Sequence, residues 1–528
     1  TDILFLGSTF CARFRSIMID ITVSGSPLHE IAAQGYALFC WSGDALTEEQ
    51  RDICMRCGVD PSPYLERKAF AGALGSSVLL NGTRGKEPVY FMFIGLGDKK
   101  LPAVERREQW RRALGQMVRL AEKEKITQLV VDLPPADVMG TDSFALARDA
   151  AATIEMATYQ FNQFMTDAKR RVAEDRVAED YRIVFKAPES VHEPLKTGME
   201  AGIRIGHAVN QARQWCDLPA NYITPQSLAE RAQAIAEGHA GLSCIVFTRP
   251  EIASMGMGGL IAVAQGSVLE PRFVVLEYTP EREAATTIGL VGKGVTFDSG
   301  GLSIKPACRM DEMKDDMAGA AAIIATMQAI AHLKPDVRVV ACAGLAENLP
   351  SGTAIKPGDI VYHYNGKTSE IKNTDAEGRL ILADALAYLC KNYTLDALVD
   401  IATLTGSCSA ALGPFFAGLV SRYGELKDRL LRAGEASGDR LWSLPFTDDY
   451  KASITSDCAD VCNIGKDAYR AGAITAGFFL ANFVDEQVPW AHLDIAGTSF
   501  NVPDRSYYRG GATGFGVRLF VELLMSWK

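Results

Sequence analysis

Four carboxylates in the second half of the sequence stand beside apolar runs rather than on charged helix faces. Asp298 lies in Val291–Gly301, the segment Val-Gly-Lys-Gly-Val-Thr-Phe-Asp-Ser-Gly-Gly. Asp316 stands at the start of one helical pattern, and Asp375 and Glu377 stand at the start of another. Carboxylate oxygens are the ligands that hard and borderline divalent cations prefer. The four residues are therefore candidate metal ligands.

The number and spacing of these acids fit a site for two metal ions. Two divalent ions carry four positive charges, which the four carboxylates would balance. A turn between Asp375 and Glu377 can aim both side chains at one point. Two ions about 3.5–4 Å apart can share a water molecule and lower its pKa toward neutrality. Acids at helix starts also occur for capping and dipole reasons alone, so these residues by themselves leave both interpretations open.

Three basic residues lie close to these acids in the sequence. Lys293 precedes Asp298 across a glycine-rich turn. A lysine amine binds a metal only when it is deprotonated, which a nearby dication favours. Lys305 and Arg379 are candidates for stabilising negative charge as it develops on an oxygen atom during a reaction.

The sequence around these residues alternates short apolar runs with helical patterns. The predicted strands are Phe273–Tyr278, Thr287–Val291, Val337–Ala343 and Ala397–Ile401, and the predicted helices are Met310–His332 and Glu377–Cys390. Such alternation favours a mostly parallel central sheet flanked by helices. In sheets of this kind, polar residues just beyond the strand ends form ligand sites. The candidate metal ligands occupy such positions.

The pattern of the first part of the chain also predicts an α/β domain, but this part contains no group of candidate catalytic residues. The predicted elements are strands Met18–Val23, Ala37–Trp41, Val89–Ile94 and Gln128–Asp132, and helices Ala103–Glu124 and Phe144–Phe164. The pentapeptide Arg-Val-Ala-Glu-Asp then occurs twice in tandem over residues 171–180, which indicates a solvated helix or loop near a domain boundary. We predict two α/β domains, a smaller one over residues 1–190 and a catalytic one over residues 191–528.

Composition and charge exclude several classes of protein. The chain has 528 residues, of which 48% are hydrophobic and 22% charged, as in globular proteins of more than one domain. The net charge of -10 argues against nucleic acid and anionic membranes as partners, and no segment reads as a transmembrane helix. The 12 cysteines are scattered, which favours free thiols in a reducing, cytoplasmic setting. The seven histidines are dispersed, which argues against a histidine-rich zinc site.

Two long segments carry a recognisable pattern. Asn373–Leu386 reads Asn-Thr-Asp-Ala-Glu-Gly-Arg-Leu-Ile-Leu-Ala-Asp-Ala-Leu, and Val291–Lys305 contains the first candidate acid and two of the basic residues. They resemble the two main motifs of the leucyl aminopeptidase family, also called the cytosol aminopeptidases or M17 metallopeptidases. Shorter segments that also resemble the family are Asn221–Pro225, Gly258–Gly266, Trp490–Gly497 and Gly511–Gly516. The resemblance implies an enzyme that removes N-terminal amino acids from peptides.

The resemblance also implies a role for each candidate ligand. A tightly bound ion would be held by Lys293, Asp298, Asp316 and Glu377. A more exchangeable ion would be held by Asp298, Asp375 and Glu377. Asp298 and Glu377 would therefore bridge the two ions, and a hydroxide shared by the ions would attack the peptide bond. The family implies Zn²⁺, with Mn²⁺, Co²⁺ or Mg²⁺ as alternatives at the exchangeable position.

The remaining implications concern catalysis, substrate and assembly. Lys305 would polarise the scissile carbonyl, and Arg379 would hold a bicarbonate ion that acts as the general base. Leucine and similar side chains are the expected preference, and the implied substrate-binding residues are Met313, Thr403, Gly406 and Ala496. The family forms homohexamers whose active sites face a shared cavity.

Two alternative functions remain for this sequence. One is a different enzyme that uses the same carboxylates, and the other is a role without catalysis. A two-metal phosphoesterase would need the same carboxylates, although the lysine ligand and Lys305 argue against it. A non-enzymatic role, such as DNA binding, is disfavoured by the acidic balance of the chain.

Overall fold

The computed structural model describes residues 18–166, 180–282 and 284–527. The tandem pentapeptide of residues 171–180 lies outside these ranges except for its last residue, Asp180. The eleven cysteines within the described ranges are all free thiols, and seven of them are buried.

The chain divides into two compact units. The first comprises Thr1–His207 together with Asp504–Arg509, and the second comprises Ala208–Pro503 together with Gly510–Lys528. The division falls inside one long helix, whereas the sequence patterns place a boundary near residue 190, before that helix. No pattern in the sequence predicts that residues 504–509 belong to the first unit.

The first unit is built on a six-stranded sheet. Its strands are β1 (Ile19–Ser24), β2 (Gly35–Trp41), β3 (Ser77–Arg84), β4 (Glu87–Gly97), β5 (Gln128–Asp132) and β6 (Tyr181–Lys186). Its helices are α1 (Glu48–Arg56), α2 (Pro61–Arg67), α3 (Ala103–Lys123), α4 (Ser143–Thr158) and the first part of α5 (His192–Asp217). The strand order is β1-β6-β5-β2-β4-β3, with only the β3–β4 pair antiparallel. The predicted α/β character is confirmed.

Helix α4 is shorter than its apolar pattern predicts. Asp142 starts it, because its carboxylate accepts a hydrogen bond from the amide of Ala145 (2.8 Å) and satisfies one of the first N–H groups. The pattern continues to Phe164, but Tyr159 has an extended backbone and the helix ends at Thr158.

A buried ion network ties the segment 504–509 to helix α3. The carboxylate of Glu108 accepts hydrogen bonds from Tyr507 Oη (3.0 Å) and Arg112 Nε (3.0 Å). Arg505 Nη1 lies 3.5 Å from the same carboxylate. Burial alone would raise the pKa of Glu108, but Arg505 and the arginines of α3 outweigh it and hold the pKa below its ordinary value. The carboxylate therefore stays ionised and stabilises the unit.

Replacing Glu108 with glutamine should lower the free energy of unfolding by about 3–5 kcal/mol at neutral pH, because buried cations lose their counter-charge. A lowered pKa gives stabilisation that is present above the ordinary pKa and is lost as the pH falls through the lowered value. The difference in free energy of unfolding between the wild type and Glu108→Gln should therefore become smaller at acidic pH. Urea denaturation at several pH values measures it, with the exposed Glu105→Gln on the same helix as the control. Equal stability of the two variants at neutral pH would contradict the prediction.

The second unit is built on a nine-stranded sheet and a small three-stranded sheet. Its strands are β7 (Leu242–Phe247), β8 (Arg272–Tyr278), β9 (Thr287–Gly292), β10 (Gly294–Asp298), β11 (Arg338–Asn348), β12 (Ile360–Tyr362), β13 (Thr368–Glu370), β14 (Ala397–Ala402), β15 (Ala417–Val420), β16 (Leu441–Ser443), β17 (Val461–Cys462) and β18 (Trp490–Asp494). Its helices after α5 are α6 (Pro225–Glu237), α7 (Arg249–Met255), α8 (Gly258–Ala264), α9 (Ala318–Leu333), α10 (Gly378–Asn392), α11 (Gly406–Leu412), α12 (Gly424–Ser437), α13 (Gly472–Ala481) and α14 (Val517–Met525).

The large sheet is mostly parallel, as predicted. The strand order is β16-β15-β18-β14-β9-β11-β8-β7, and β10 pairs with the end of β11. The central strands β18, β14, β9 and β11 run parallel, as does the β10–β11 pair. Helices α9 and α10 both pack against β9 and β11. The carboxyl ends of the central strands consequently meet at one edge of the sheet.

The stretch Met310–Leu333 is long and apolar enough to cross a membrane, since it contains an 18-residue window with a mean hydropathy of 1.2. In the structure 83% of that window is buried. Burial of this kind is typical of the core helix of a folded domain.

The helix predicted over Met310–His332 is confirmed from Ala318 onward, but it does not run unbroken from Met310. A 3-10 helix covers Met310–Asp315, and α9 begins at Ala318. The interruption frees the side chain of Asp316 from the helix surface, so that its carboxylate reaches Lys293.

Candidate active site

The site begins where two parallel strands end together. Asp298 ends β10 and lies opposite Asn348, which ends β11. Lys293 occupies the single position between β9 and β10, where its backbone N–H donates to the carbonyl of Ile401 in β14 (3.1 Å). Strand pairing therefore fixes the backbone positions of Lys293 and Asp298.

Three of the predicted ligands form one cluster. One carboxylate oxygen from each of Asp298, Asp375 and Glu377 lies within 4.8 Å of the others. Asp298 and Glu377 are buried, and Asp375 is partly exposed. Glu377 stands at the start of α10, and Asp375 lies in the turn before it. The Asp-x-Glu turn thus aims both carboxylates at Asp298, as predicted.

Lys293 connects the fourth acid to this cluster. Its Nζ atom lies 2.7 Å from Asp316 Oδ1 and 2.9 Å from Glu377 Oε1. The same Nζ donates to the carbonyl oxygen of Thr403 (2.9 Å), whose hydroxyl donates to Asp316 Oδ1 (2.8 Å). Burial alone would lower the pKa of Lys293, but the surrounding carboxylates outweigh it and raise the pKa above its ordinary value.

Lys305 lies on the other side of the cluster. Its Nζ atom is 2.8 Å from Asp298 Oδ2 and 2.5 Å from Asp375 Oδ1. Burial opposes the charged amine, but Asp298 and Glu377 outweigh it and raise the pKa of Lys305. The amine is therefore protonated at neutral pH and able to donate hydrogen bonds.

The cluster carries more negative charge than its lysines neutralise. Burial, followed by repulsion from Glu377, raises the pKa of Asp298 to about 6. Burial is also the main cause of the raised pKa values of Asp316 and Asp375. Asp316 Oδ2 is buried and has no hydrogen-bond partner among the described residues. An acid-rich cluster with an unpartnered carboxylate oxygen fits divalent cations.

Two glycines allow the loops to approach this closely. Gly300 has a φ of +85°, and its N–H donates to Asp298 Oδ1 (2.8 Å). Gly378 has no side chain where a Cβ atom would lie 2.3 Å from Lys293 Cε. A larger residue at Gly378 would push Lys293 away from the acids.

Two asparagines that the sequence motifs did not single out support the acids. Asn348 Nδ2 donates to Asp298 Oδ1 (2.8 Å) and to the carbonyl of Thr374 (3.0 Å). Its place at the end of β11 is a signal that could have found it, because polar residues there face the ligand site. Asn348 joins the loop after β10 to the turn that carries Asp375.

Asn463 fastens that turn from the other side. Its Oδ1 atom accepts from the amide of Lys372 (2.8 Å), and its Nδ2 atom donates to the carbonyl of Asn373 (2.6 Å). Its own carbonyl accepts from Arg379 Nη1 (2.8 Å). Asn463 is fully buried and follows the two-residue strand β17. No local sequence pattern marks such a residue, because its partners lie about 90 positions away in the chain.

Replacing Asn463 with alanine should lower kcat/KM for the peptide hydrolysis that the motifs imply. The expected factor is about 10–100-fold, the range for residues that orient metal ligands. The turn before α10 and Arg379 both lose their anchor in this variant. Steady-state kinetics and bound-metal content would measure the effect, with Asn482→Ala as the control, since Asn482 donates only to a helix carbonyl (Phe478) through its side-chain amide. Wild-type kinetics in a folded Asn463→Ala protein would contradict this role.

Arg379 lies in the first turn of α10 and is buried. Its Nε atom has no hydrogen-bond partner within the described part of the chain. Burial lowers the pKa of Arg379 to about 10, against the opposing charges of Glu377 and Asp494. The guanidinium remains charged at neutral pH, and its unpartnered N–H is suited to an anion.

The four residues predicted to bind the substrate side chain differ in how directly they are connected to the acidic cluster. Thr403 is part of the cluster through its bonds to Lys293 and Asp316. Asp494, at the end of β18, accepts from the amide of Ala496 (3.2 Å) and from the hydroxyl of Thr405, which caps α11 at Gly406. Open space surrounds Gly406 where a side chain would stand. Met313 is linked to the cluster through its carbonyl, which accepts from the amide of Asp316 (3.4 Å).

The fold and this cluster define an α/β protein with a candidate divalent-metal site at the carboxyl edge of its sheet. Residues 210–521 match the model of the cytosol aminopeptidase family catalytic domain, and residues 37–168 match the model of the N-terminal domain of the same family. Together the two matches span most of the chain.

Relatives and solved structures agree with this match. A probable cytosol aminopeptidase of Chlorobium limicola is 40% identical and aligns with 97% of this chain and 100% of its own length. A probable cytosol aminopeptidase of Roseiflexus castenholzii is 42% identical over 88% of this chain and 94% of its own. A tomato leucine aminopeptidase mutant has a TM-score of 0.83 at 30% identity, covering 97% of both chains. The bottromycin maturation enzyme BotP in complex with Mn has a TM-score of 0.81 at 32% identity, covering 94% of this chain and 99% of its own.

The chain belongs to the cytosol aminopeptidase (M17) family. It is a metallo-aminopeptidase, a hydrolase of peptides. The resemblance seen in the sequence motifs is confirmed.

Proposed function

We propose that this enzyme uses two divalent ions to release leucine and other apolar residues from the N-termini of peptides. The observation that carries the proposal is the gathering of four carboxylates around two lysines at the sheet edge. In the proposed arrangement one ion would be held by Lys293, Asp298, Asp316 and Glu377. The second ion would be held by Asp298, Asp375 and Glu377.

The protein contributes charge and position to this chemistry. When bound, two such ions supply positive charge that lowers the pKa of a shared water and polarises the scissile carbonyl. Lys293 would have to lose its proton to act as a ligand, because only the neutral amine has a free electron pair. Four acids with one neutral and one charged lysine then leave a net charge of -3, which two dications more than offset.

Lys305 is proposed to stabilise the oxyanion. Its amine is protonated and lies beside Asp298 and Asp375, two of the three acids proposed for the exchangeable ion. From that position its N–H groups can donate to the carbonyl oxygen of a substrate as negative charge develops there.

Arg379 is proposed to hold a bicarbonate ion that serves as the general base. The buried Nε atom of Arg379 lacks a hydrogen-bond partner among the residues that the structure covers, which supports an anion at this place. Asn463 fixes the direction of the guanidinium through its carbonyl oxygen. An anion held there would accept a proton during the reaction, and Arg379 would keep it in place.

An apolar N-terminal residue is proposed on the character of the surrounding loops. Leu302 and Ile304, the apolar residues that precede Lys305, are 45% and 62% exposed. The proposed pocket residues Met313, Thr403, Gly406 and Ala496 carry no charge. An uncharged pocket favours leucine over acidic or basic residues, because an unpaired charge would lose its hydration there.

The test compares Leu-Gly-Gly, its N-acetylated form and Asp-Gly-Gly at equal concentrations. The proposal expects release of leucine from the first, none from the second and a much lower kcat/KM for the third. Cleavage of the acetylated peptide at the rate of the free one would overturn the exopeptidase mechanism. A preference for aspartate over leucine would overturn the proposed pocket.

The metals, the assembly and the location are proposed by analogy with the family. Zn²⁺ is proposed at the tight position, with Mn²⁺, Co²⁺ or Mg²⁺ at the exchangeable one, and the Mn complex of BotP supports a manganese-compatible site. A homohexamer in the cytoplasm is the proposed working form. Light scattering of the purified protein should give six times the chain mass of 57.2 kDa, and a stable monomer would overturn the hexamer.

A further inference from the structure

Two histidines that are far apart in the sequence meet on the surface of the second unit. His239 follows the C-terminus of α6, and His332 lies in the last turn of α9. Their Nε2 atoms are 3.0 Å apart, and their rings meet nearly at right angles, with centroids 4.6 Å apart. His239 is partly buried and His332 is exposed.

The ring of His239 is held with one nitrogen directed at its neighbour. Its Nδ1 atom lies 2.7 Å from the carbonyl oxygen of Ile235. A carbonyl oxygen only accepts hydrogen bonds, so Nδ1 carries the proton and, in the neutral ring, Nε2 carries the electron pair. A histidine whose Nδ1–H donates to a backbone carbonyl is the usual arrangement of a metal-binding imidazole.

The separation of the two Nε2 atoms matches two ligands of one ion. Zinc–nitrogen bonds of about 2.0–2.1 Å place two imidazole nitrogens about 3.3 Å apart at a tetrahedral angle and about 2.9 Å apart at a right angle. The observed 3.0 Å lies between these values. Both nitrogens can therefore reach one ion after movements of a few tenths of an ångström, once the proton that His332 Nε2 donates to His239 Nε2 is released to solvent or moves to His332 Nδ1.

We propose that His239 and His332 form a surface site for a transition-metal ion of the zinc class, completed by water. The ion would link the C-terminal ends of α6 and α9. Helix α9 has 16 residues and starts two positions after Asp316, so a rise of about 1.5 Å per residue puts this site more than about 20 Å from the acids. The inference does not depend on the proposed peptidase mechanism.

The first test uses the wild-type holoenzyme and a histidine-modifying reagent. Diethyl pyrocarbonate acylates accessible imidazole nitrogens, and peptide mass spectrometry reports the rate at each histidine. Zn²⁺ should slow modification of His239 and His332 together, several-fold, and leave His192 unchanged, since the ring of His192 is hydrogen-bonded to the carbonyl of Ala187 and not to a second histidine. Unchanged rates at both histidines in the presence of Zn²⁺ would overturn the site.

The second test counts metal ions. After equilibrium dialysis against Zn²⁺, His239→Gln and His332→Gln should each hold one equivalent fewer per chain than the wild type, while His192→Gln should match it. Both variants should retain peptidase activity, which separates this site from the catalytic cluster. Equal zinc content in the wild type and the two variants would overturn the site, whatever their activity.

Discussion

Replacing Glu377 with glutamine is expected to remove bound metal and to lower kcat/KM by more than about 10²-fold. Residues that merely support a metal ligand already contribute 10–100-fold, and Glu377 is proposed to contact both ions. Glutamine keeps the volume of the side chain and removes its charge. In the structure Glu377 is buried, lies 2.9 Å from Lys293 and shares the cluster with Asp298 and Asp375.

The measurement pairs elemental analysis of bound metal with hydrolysis of a leucine substrate. Glu347→Gln is the matched control, because Glu347 is also a buried acid of this unit but accepts a hydrogen bond from Ser267 (2.5 Å) instead of joining the cluster. The control should keep its metal and most of its activity. If Glu377→Gln kept both metal and activity, Glu377 would not be a ligand.

Replacing Lys305 with methionine is expected to lower kcat by about 10²–10³-fold, the effect of removing one donor that stabilises an oxyanion. Unlike Glu377→Gln, which is expected to lose metal, Lys305→Met is expected to keep it. Loss of a positive charge beside Asp298 and Asp375 should leave metal binding equal or tighter, because the acids then attract cations more strongly. The two variants therefore distinguish a residue that acts on the substrate from one that holds metal.

Steady-state kinetics and metal analysis of the same Lys305→Met preparation test this separation. Lys356→Met is the control, since Lys356 pairs only with Asp359 on the surface (3.1 Å). An unchanged kcat, or loss of metal in proportion to loss of activity, would contradict the role proposed for Lys305.

Strand β14 and helix α10 were predictable from the sequence, because they depend on local patterns, whereas β10, which carries Asp298, was read as a glycine-rich turn. The apolar run Ala397–Ile401 lies within β14, and the helical pattern from Glu377 matches α10 to within a few residues. Parallel strands put their carboxyl ends at one edge, so residues that follow such runs converge. That topology places Asp298 at this edge, whereas Asp375 and Glu377 come from the turn that follows β13 of the small sheet.

Features that depend on contacts between residues far apart in the sequence could not be predicted from local patterns. Asn463 is a single polar residue after a two-residue strand, and its importance comes from contacts with the turn before α10. The break at Asp316 has no signal in the helical pattern, and in the structure the carboxylate of Asp316 contacts Lys293, which lies 23 positions away in the chain. Likewise, Arg505 and Tyr507 join Glu108 across almost 400 positions.

The most direct test of the two-metal aminopeptidase is hydrolysis of leucine amide by protein stripped of metal and then resupplied with Zn²⁺, Mn²⁺ or Co²⁺. Activity should disappear with the metal, return on addition once two ions per chain are bound beyond the one proposed at His239 and His332, and stay absent in Asp375→Ala under every condition. Full activity in the metal-free protein, or recovery with a single ion per chain, would contradict a two-metal mechanism.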